Sequence, residues 1–315
     1  MEGSYLVTGA SGLLGSNIYA DLVAEHVPVV GVTGERSLHS VGSGRSLRMD
    51  LRDESAVRKL VHEVQPHCVI HAAALTSVDE CERNPDRAWA ANVQATANIV
   101  RAAARAGAVV VYISTDSVFD GKRGSYHEGD AVAPINIYAE SKLRGEEVAL
   151  GLHEQVLVVR TNFYGWNAFV GETPGAKRSL AEWVLYRLES GRRVPGWSDV
   201  VFSPLLVNDL FSILRMLVAE RLTGVVHVGG SEACSKYHFA RAVAASFDLD
   251  VNLIDRASVD EMRLSAPRPK NTSLESDRIR HVVPAGPDLQ SGLRRFRELR
   301  ESGYAEGLRT LRKGV

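Results

Sequence analysis

The sequence predicts an α/β protein: a doubly wound parallel sheet joined to a smaller, discontinuous α/β lobe. Three observations carry that expectation. Short Val- and Ile-rich runs alternate with longer amphipathic segments through the first half of the chain, a glycine-rich turn follows the first such run, and the rhythm loosens near residue 162. Strands that alternate with helices build parallel sheets, and strands covered on both faces read as nearly continuous apolar runs.

Taken in order, the elements are "SYLVTG", a helix over 13–26, "VPVVGVT", "SLRMD", a helix over 53–65, "CVIHAAA", a helix over 86–107 and "AVVVYIS". A helical pattern then runs to about 151, and "QVLVVRT" supplies a further strand. Beyond it come "NFYGWN" and "GETPG", a helical run over 179–190, and one more core strand in "GVVHVGG" at 224–230. The expected division is therefore 1–161 plus about 205–229 for nucleotide binding, with about 162–204 and 230–315 forming the substrate lobe. The Arg-rich tail keeps helical spacing of its apolar residues, so its arginines read as a solvated face whose stems cover the core.

Composition narrows the function classes. At 315 residues and 34.3 kDa the chain can bury a large core. The 37 Lys and Arg nearly cancel the 38 Asp and Glu, so no global field recruits nucleic acid or an anionic membrane. Cys68, Cys81 and Cys234 are widely spaced and the 10 histidines show no ligand-like grouping, which speaks against a disulfide framework and a metal site. No apolar run approaches the roughly 20 residues that span a bilayer, and no basic, apolar leader opens the chain. A cytoplasmic protein is the expectation.

"YLVTGASGLLGSN" places Gly9, Gly12 and Gly15 between a strand and a helix. Such a turn needs unusual dihedrals, close backbone approach to a pyrophosphate, and a helix start that offers free N–H groups to phosphate. The spacing is a variant of the dinucleotide fingerprint and makes the sheet Rossmann-type. Cofactor choice rests on the end of the second strand, "VVGVTGERS", where an acid would bind a ribose 2′-hydroxyl and an arginine a 2′-phosphate. Thr33 stands where the acid is sought and Arg36 follows, which favours NADP(H) over NAD(H); Glu35 keeps NAD(H) as the alternative. Asp50, ending "SLRMD", is placed to accept from the adenine amino group, while Asp53 is the natural cap of the next helix.

The segment "STDSVFDGKRGSYHEGDAVAPINIYAESK" sets Tyr138 and Lys142 at i and i+4, on one helix face, downstream of Thr115. With the glycine turn, "HAAA" at 71–74, the "NVQATANIV" helix and "STDSVFDG", it resembles the extended short-chain dehydrogenase/reductases. "PINIYAESKLRGE", "RTNFYG", "SPLLVNDL" and "RPKNTSLE" make it most similar to the dTDP-4-dehydrorhamnose reductase branch. The resemblance implies a proton-donating Tyr138, a Lys142 that tunes the phenol and holds the nicotinamide ribose, and a Thr115 that fixes the substrate carbonyl oxygen. Nearby positive charge would bring a phenol of pKa about 10 toward a useful range.

The implied cofactor-binding set is Gly9, Ser11, Gly12, Leu13, Leu14, Gly15, Arg36, Asp50, Leu51, Ala72, Ala73, Ala74, Asn92, Tyr138 and Lys142. For His71, packing or hydrogen bonding near the cofactor outweighs chemistry; Asn92 orients backbone near the site or simply packs its helix. The implied substrate-binding set is Thr115, Asp116, Ser117, Asn162, Trp197, Arg268 and Lys270, with the last two cations neutralising a diphosphate. Trp166, like Trp197, is either a stacking surface or core, and Asn271 closes a site hydrogen bond or caps a turn.

The reaction follows from what stands after Thr115. Sugar-nucleotide dehydratases of the wider family carry Asp-Glu there; this chain carries Asp116-Ser117, and a serine cannot abstract a carbon-bound proton as a carboxylate does. The reductase branch usually has Tyr at the Ser117 position, so the hexose can differ from the usual one. The reading is an NADPH-dependent reductase of a nucleotide-linked 4-keto-6-deoxyhexose, dTDP-linked by preference, in deoxysugar biosynthesis. An NAD-dependent epimerase and a non-catalytic subunit resembling the regulatory subunit of methionine adenosyltransferase are the alternatives. The partner is a small nucleotide sugar, with neither nucleic acid nor membrane, and a homodimer is one assembly the reading allows.

Overall fold

A computed structural model describes residues 3–170 and 178–312. Six strands, β1 (Tyr5–Thr8), β2 (Val29–Thr33), β3 (Gly44–Arg48), β4 (Cys68–His71), β5 (Val109–Ile113) and β6 (Val156–Thr161), join Gly224–Val228 in one parallel sheet. Its order is β3-β2-β1-β4-β5-β6 followed by Gly224–Val228, so the chain reverses its direction of travel across the sheet between β1 and β4. Ligands of doubly wound sheets bind in the crevice at such a switch point.

The inner strands are nearly continuous apolar runs because both faces are covered, whereas the edge strand β3 exposes Arg45 and Arg48. Tyr5, Val7, Ile70, Val111, Leu157 and Val159 pack in one buried cluster with α1 (Leu13–Ala24) and the helix Val207–Ala219. Leu6, Val69, Val110, Tyr112, Val156 and Val158 pack in another, with α2 (Glu54–Val64) and the Ala95–Ala106 helix. Each such side chain contributes about 1.5–3 kcal/mol when fully buried. Asp53 caps α2 by accepting from the Ala56 amide at 3.0 Å, as its position predicts.

One predicted helix is divided. The 86–107 pattern becomes α3 (Val78–Arg83) ahead of it, α4 (Pro85–Trp89), a π-helical turn over Ala90–Gln94, and α5 (Ala95–Ala106). Apolar periodicity cannot register one widened turn, and π turns concentrate at functional sites. α6 (Ile137–Leu152) then begins at Asn136, whose side chain accepts from the Ala139 amide at 2.9 Å.

Beyond β6 the chain forms three two-stranded ribbons: Phe163–Tyr164 with Leu205–Leu206, Val201–Phe202 with Cys234–Ser235, and Val194–Trp197 with Ile254–Ala257. Helices Leu180–Glu189 and Lys236–Ser246 pack over them. The stretch "GETPG" lies outside the described residues. The Arg-rich tail folds as Leu289–Glu301 and Tyr304–Thr310, burying Leu293, Phe296 and Leu308 while Arg297 and Arg300 pair with Glu301, Asp248 and Glu189. Tyr304 reaches back to α1, donating to Asp21 at 2.8 Å, so the tail also braces that helix.

Candidate active site

The glycine turn has the geometry its spacing predicts. Gly9 takes a φ of +68°, and a Cβ there would lie 2.7 Å from the Ala73 amide nitrogen. A Cβ on Gly15 would stand 2.3 Å from the Gly9 carbonyl oxygen, so only glycine lets α1 start this close to β1. Gly12 occupies the N-cap without a side-chain cap. The first turn of α1, from Leu13 and the buried Leu14, is therefore open to a phosphate, beside half-exposed Ser11.

Beside this turn opens a cleft of about 800 Å³, lined by Gly9, by Thr33, Gly34 and Glu35 at the end of β2, by Arg48 to Arg52 at the end of β3, and by Ala73 to Leu75 after β4. Asp50 and Leu51 lie in its wall, with Asp50 held by Arg52 at 2.6 Å. Ala72 is outside this lining, and its carbonyl oxygen would stand 2.8 Å from any Cβ on Gly9. Arg36 falls outside this lining and stands over the Phe169 ring, 5.6 Å from its centroid. The cations that face the cleft are Arg48, Arg52 and Arg87, none of which the strand-end rule singles out. Arg87 reaches Glu80 at 2.6 Å and Glu35 at 3.3 Å, and it comes from α4, a contact 52 residues distant that local pattern does not show.

β5 and α6 bring Thr115 and Tyr138 together, with Lys142 one helical turn further along α6. Thr115 follows β5 and caps a 3-10 turn, Asp116–Val118, accepting from the Ser117 amide at 3.1 Å. Burial pushes the Tyr138 phenol up to about 12, while hydrogen bonding to Thr115 pulls it back. Spacing alone predicts a phenol lowered by Lys142; in the structure burial dominates, and Lys142 is not among the groups that shift the phenol. Lys142 is buried, donates to the Ile113 carbonyl at 2.7 Å and stands 4.0 Å from the centroid of the Tyr112 ring. Burial drives its ammonium down to about 7, against the attraction of Glu146.

Beneath the trio lies a polar network. Asn92, in the π turn, accepts from the Leu75 amide at 2.8 Å and donates to Ser141 at 2.9 Å; Ser141 in turn donates to the Tyr138 carbonyl at 2.8 Å. The amide thus ties the loop after β4 to the turn of α6 that carries Tyr138. His71 is wholly buried, with its ring nitrogens on Thr8 at 2.7 Å and Thr96 at 3.0 Å. Desolvation holds it at about 3, a neutral bracket rather than an acid or base. Glu146 joins Ser114 to Arg160 through a buried ion pair of 2.8 Å. Glu146 follows Lys142 by four residues, so the helical spacing that marks the dyad also marks this third member of its face.

Asp116 is a structural hub. Its carboxylate accepts from Thr272 at 2.6 Å, Asn162 at 3.0 Å, and Thr115 and Ser117 at 3.2 Å, joining the β5 turn to two distant segments. Burial raises its pKa and these four donors oppose the rise. Arg268 is turned onto Asp79 at 2.7 Å and the exposed Lys270 onto Asp260 at 2.5 Å, so neither presents a free charge to the cleft. Trp166 is core, stacked on Phe296 with centroids 4.2 Å apart, whereas Trp197 lines a second cavity. Asn271 accepts from Ser273 at 2.7 Å and serves the loop fold. Among the described residues no cluster of His, Cys, Asp and Glu suits a metal ion, and no helix is long and apolar enough to cross a membrane.

With this geometry in place, comparison with known proteins is decisive: the family described as RmlD substrate binding domain matches residues 3–298. The chain belongs to that family. It is 29% identical to a crystallised dTDP-4-dehydrorhamnose reductase from Bacillus anthracis in complex with NADP, covering 95% of this chain and 99% of that one, with a TM-score of 0.82. It is also similar to methionine adenosyltransferase 2 subunit beta of Pongo abelii, at 31% identity over 87% of this chain and 80% of that protein. A third relative is the probable low-salt glycan biosynthesis reductase Agl14 of Haloferax volcanii, at 30% identity over 87% of this chain and 90% of that protein. For this member of the family, the glycine cradle and the cleft at the switch point fit a nicotinamide dinucleotide.

Proposed function

We propose that the chain is an NADPH-dependent sugar-nucleotide reductase that acts on a 4-keto-6-deoxyhexose carried on dTDP. The observation that carries this reading is the meeting of Thr115 and Tyr138 at the end of β5, with Lys142 on the same face of α6. The smaller lobe, about 162–204 and 230–315, takes the sugar nucleotide, while 1–161 and about 205–229 take the cofactor. Bound NADPH supplies the hydride. Thr115 orients the carbonyl oxygen by hydrogen bonding, and Tyr138 delivers the proton to that oxygen as it becomes an alkoxide. A phenol held near 12 is fully protonated at neutral pH, the state a proton donor needs. Buried Lys142, fixed on the Ile113 carbonyl and driven down to about 7, stands one helical turn from the phenol with its charge only partly held at neutral pH.

Support for NADPH comes from the lack of an acid at Thr33, from the three arginines facing the cleft, and from the NADP complex of the similar reductase. The test is consumption of NADPH and NADH against a panel of dTDP-, UDP- and GDP-linked 4-keto sugars. NADPH loss with the dTDP sugar is expected; no turnover with any member contradicts the reading. The similarity to methionine adenosyltransferase 2 subunit beta favours one other function, a non-catalytic NADP-binding subunit. Stoichiometric co-purification with a methionine adenosyltransferase, together with no keto-sugar turnover, would establish that instead.

A further inference from the structure

Lys142 is buried, and the titratable groups around it come from three elements. Tyr138 and Glu146 flank it by one turn each on α6, the Tyr112 ring of β5 has its centroid 4.0 Å from the ammonium, and buried His71 at the end of β4 feels its charge. Burial keeps three of these neutral at pH 7: the Tyr112 and Tyr138 phenols are pushed up and the His71 imidazole is held at about 3. Glu146 is the carboxylate that opposes the desolvation of the ammonium.

Glu146 is itself fixed from two sides. Ser114 donates to it from the end of β5, and Arg160 of β6 holds both its oxygens, through Nε at 3.1 and 3.2 Å and Nη2 at 2.8 Å. Ser114 stands between Ile113, whose carbonyl accepts from Lys142, and Thr115, which meets Tyr138. One carboxylate thus grips the short stretch of backbone on which both the ammonium and the smaller hydroxyl depend. An apolar pair of like volume would hold β6 to α6 about as firmly, so cohesion alone does not explain the charge. We propose that Glu146 is a positioning residue for the reduction, supplying the counter-charge that keeps Lys142 cationic and, through Ser114, holding the end of β5 against α6. The use of that cation rests on the reductase reading above. Proton donation turns Tyr138 into a phenolate one helical turn from Lys142, which a cationic Lys142 stabilises and a neutral one does not. A phenol held near 12 ionises by itself only where Lys142 is already neutral, so the cation acts on the phenolate formed in the reaction and not on the resting phenol.

The test follows Lys142 directly, by NMR titration of the protein carrying isotope-labelled lysine, with the resonance assigned from Lys142→Met, and in parallel the pH dependence of kcat with the dTDP-linked keto sugar. In the wild type the ammonium should titrate near 7, and kcat should fall as pH rises through that value. Loss of the counter-charge lowers the folded pKa further, so in Glu146→Gln both curves should move toward acid by about one pH unit or more. Glu146→Leu combined with Arg160→Met, which keeps the packing if the single variant does not fold, should move them the same way. Ser114→Ala removes a hydrogen bond and leaves the charge, so it should lower kcat without moving the Lys142 titration. Identical Lys142 titration in the wild type and both Glu146 variants overturns the inference, and a shifted Lys142 with an unmoved kcat profile overturns its part in the reduction. A shifted Lys142 in a protein that reduces no keto sugar upholds the counter-charge and overturns the reductase reading.

Discussion

At the scale of residues, solvent exclusion sets the site's protonation states. Tyr138 and Lys142 are driven in opposite directions by the same cause, the phenol up to about 12 and the ammonium down to about 7, since desolvation penalises whichever form is charged. Cofactor preference is likewise a single-residue matter. Thr33 ends β2 with its hydroxyl turned to the Leu47 carbonyl at 3.2 Å, and it lines the cleft without adding charge. Thr33→Asp places a carboxylate where a 2′-phosphate would lie. Steady-state kinetics should show the NADPH KM rising by more than about tenfold, with the NADH KM falling. The Thr33 position was legible because a strand end and a glycine turn fix it. The pairing of Arg268 was not, since Asp79 lies 189 residues away and only the closed fold brings it near.

At the scale of elements, α6 carries the proposed proton donor. One face carries Tyr138, Lys142 and Glu146 at four-residue spacing, and the last is locked to Arg160 of β6 in a buried pair. Glu146→Gln removes one charge and strands the other, so unfolding in urea should show a loss of about 3–5 kcal/mol. The paired replacement of Glu146 and Arg160 by apolar residues of similar volume should recover much of it. The helix itself was legible from its motif, while its opening at the Asn136 cap shows only in the structure. The π turn of Ala90–Gln94 was hidden, because hydrophobic spacing reports which face is buried and not how many residues a turn holds. Yet that turn aims Asn92 at both Leu75 and Ser141.

For the whole molecule, the parallel, doubly wound sheet was legible from the alternation of apolar strands and amphipathic helices, whereas the strand order and its switch point appear only in the structure. The ribbons of the smaller lobe were not legible, since strands of two to four residues carry no period to read. Global stability should carry the mark of His71, which bridges β1, β4 and α5. Its folded pKa, about 3, lies below the ordinary 6.5, so the unfolded chain takes up the proton first. Its contribution is intact above pH 6.5 and is lost as pH falls from there toward 3. Relative to a His71→Asn variant, wild-type unfolding free energy should drop by about 1.4 kcal/mol per pH unit in that window. Parallel urea titrations of the two proteins check this, and a constant difference would refute it.

Tyr138 as the proton donor of a keto-sugar reduction is the central proposal. Single-turnover NADPH oxidation with a dTDP-linked 4-keto-6-deoxyhexose, in wild type and Tyr138→Phe, tests it most directly, with cofactor affinity measured on both. The wild type should oxidise NADPH in step with sugar reduction, and the variant should bind NADPH equally well while turning over at least about a hundredfold more slowly. A Tyr138→Phe protein that reduces the sugar at the wild-type rate would contradict it.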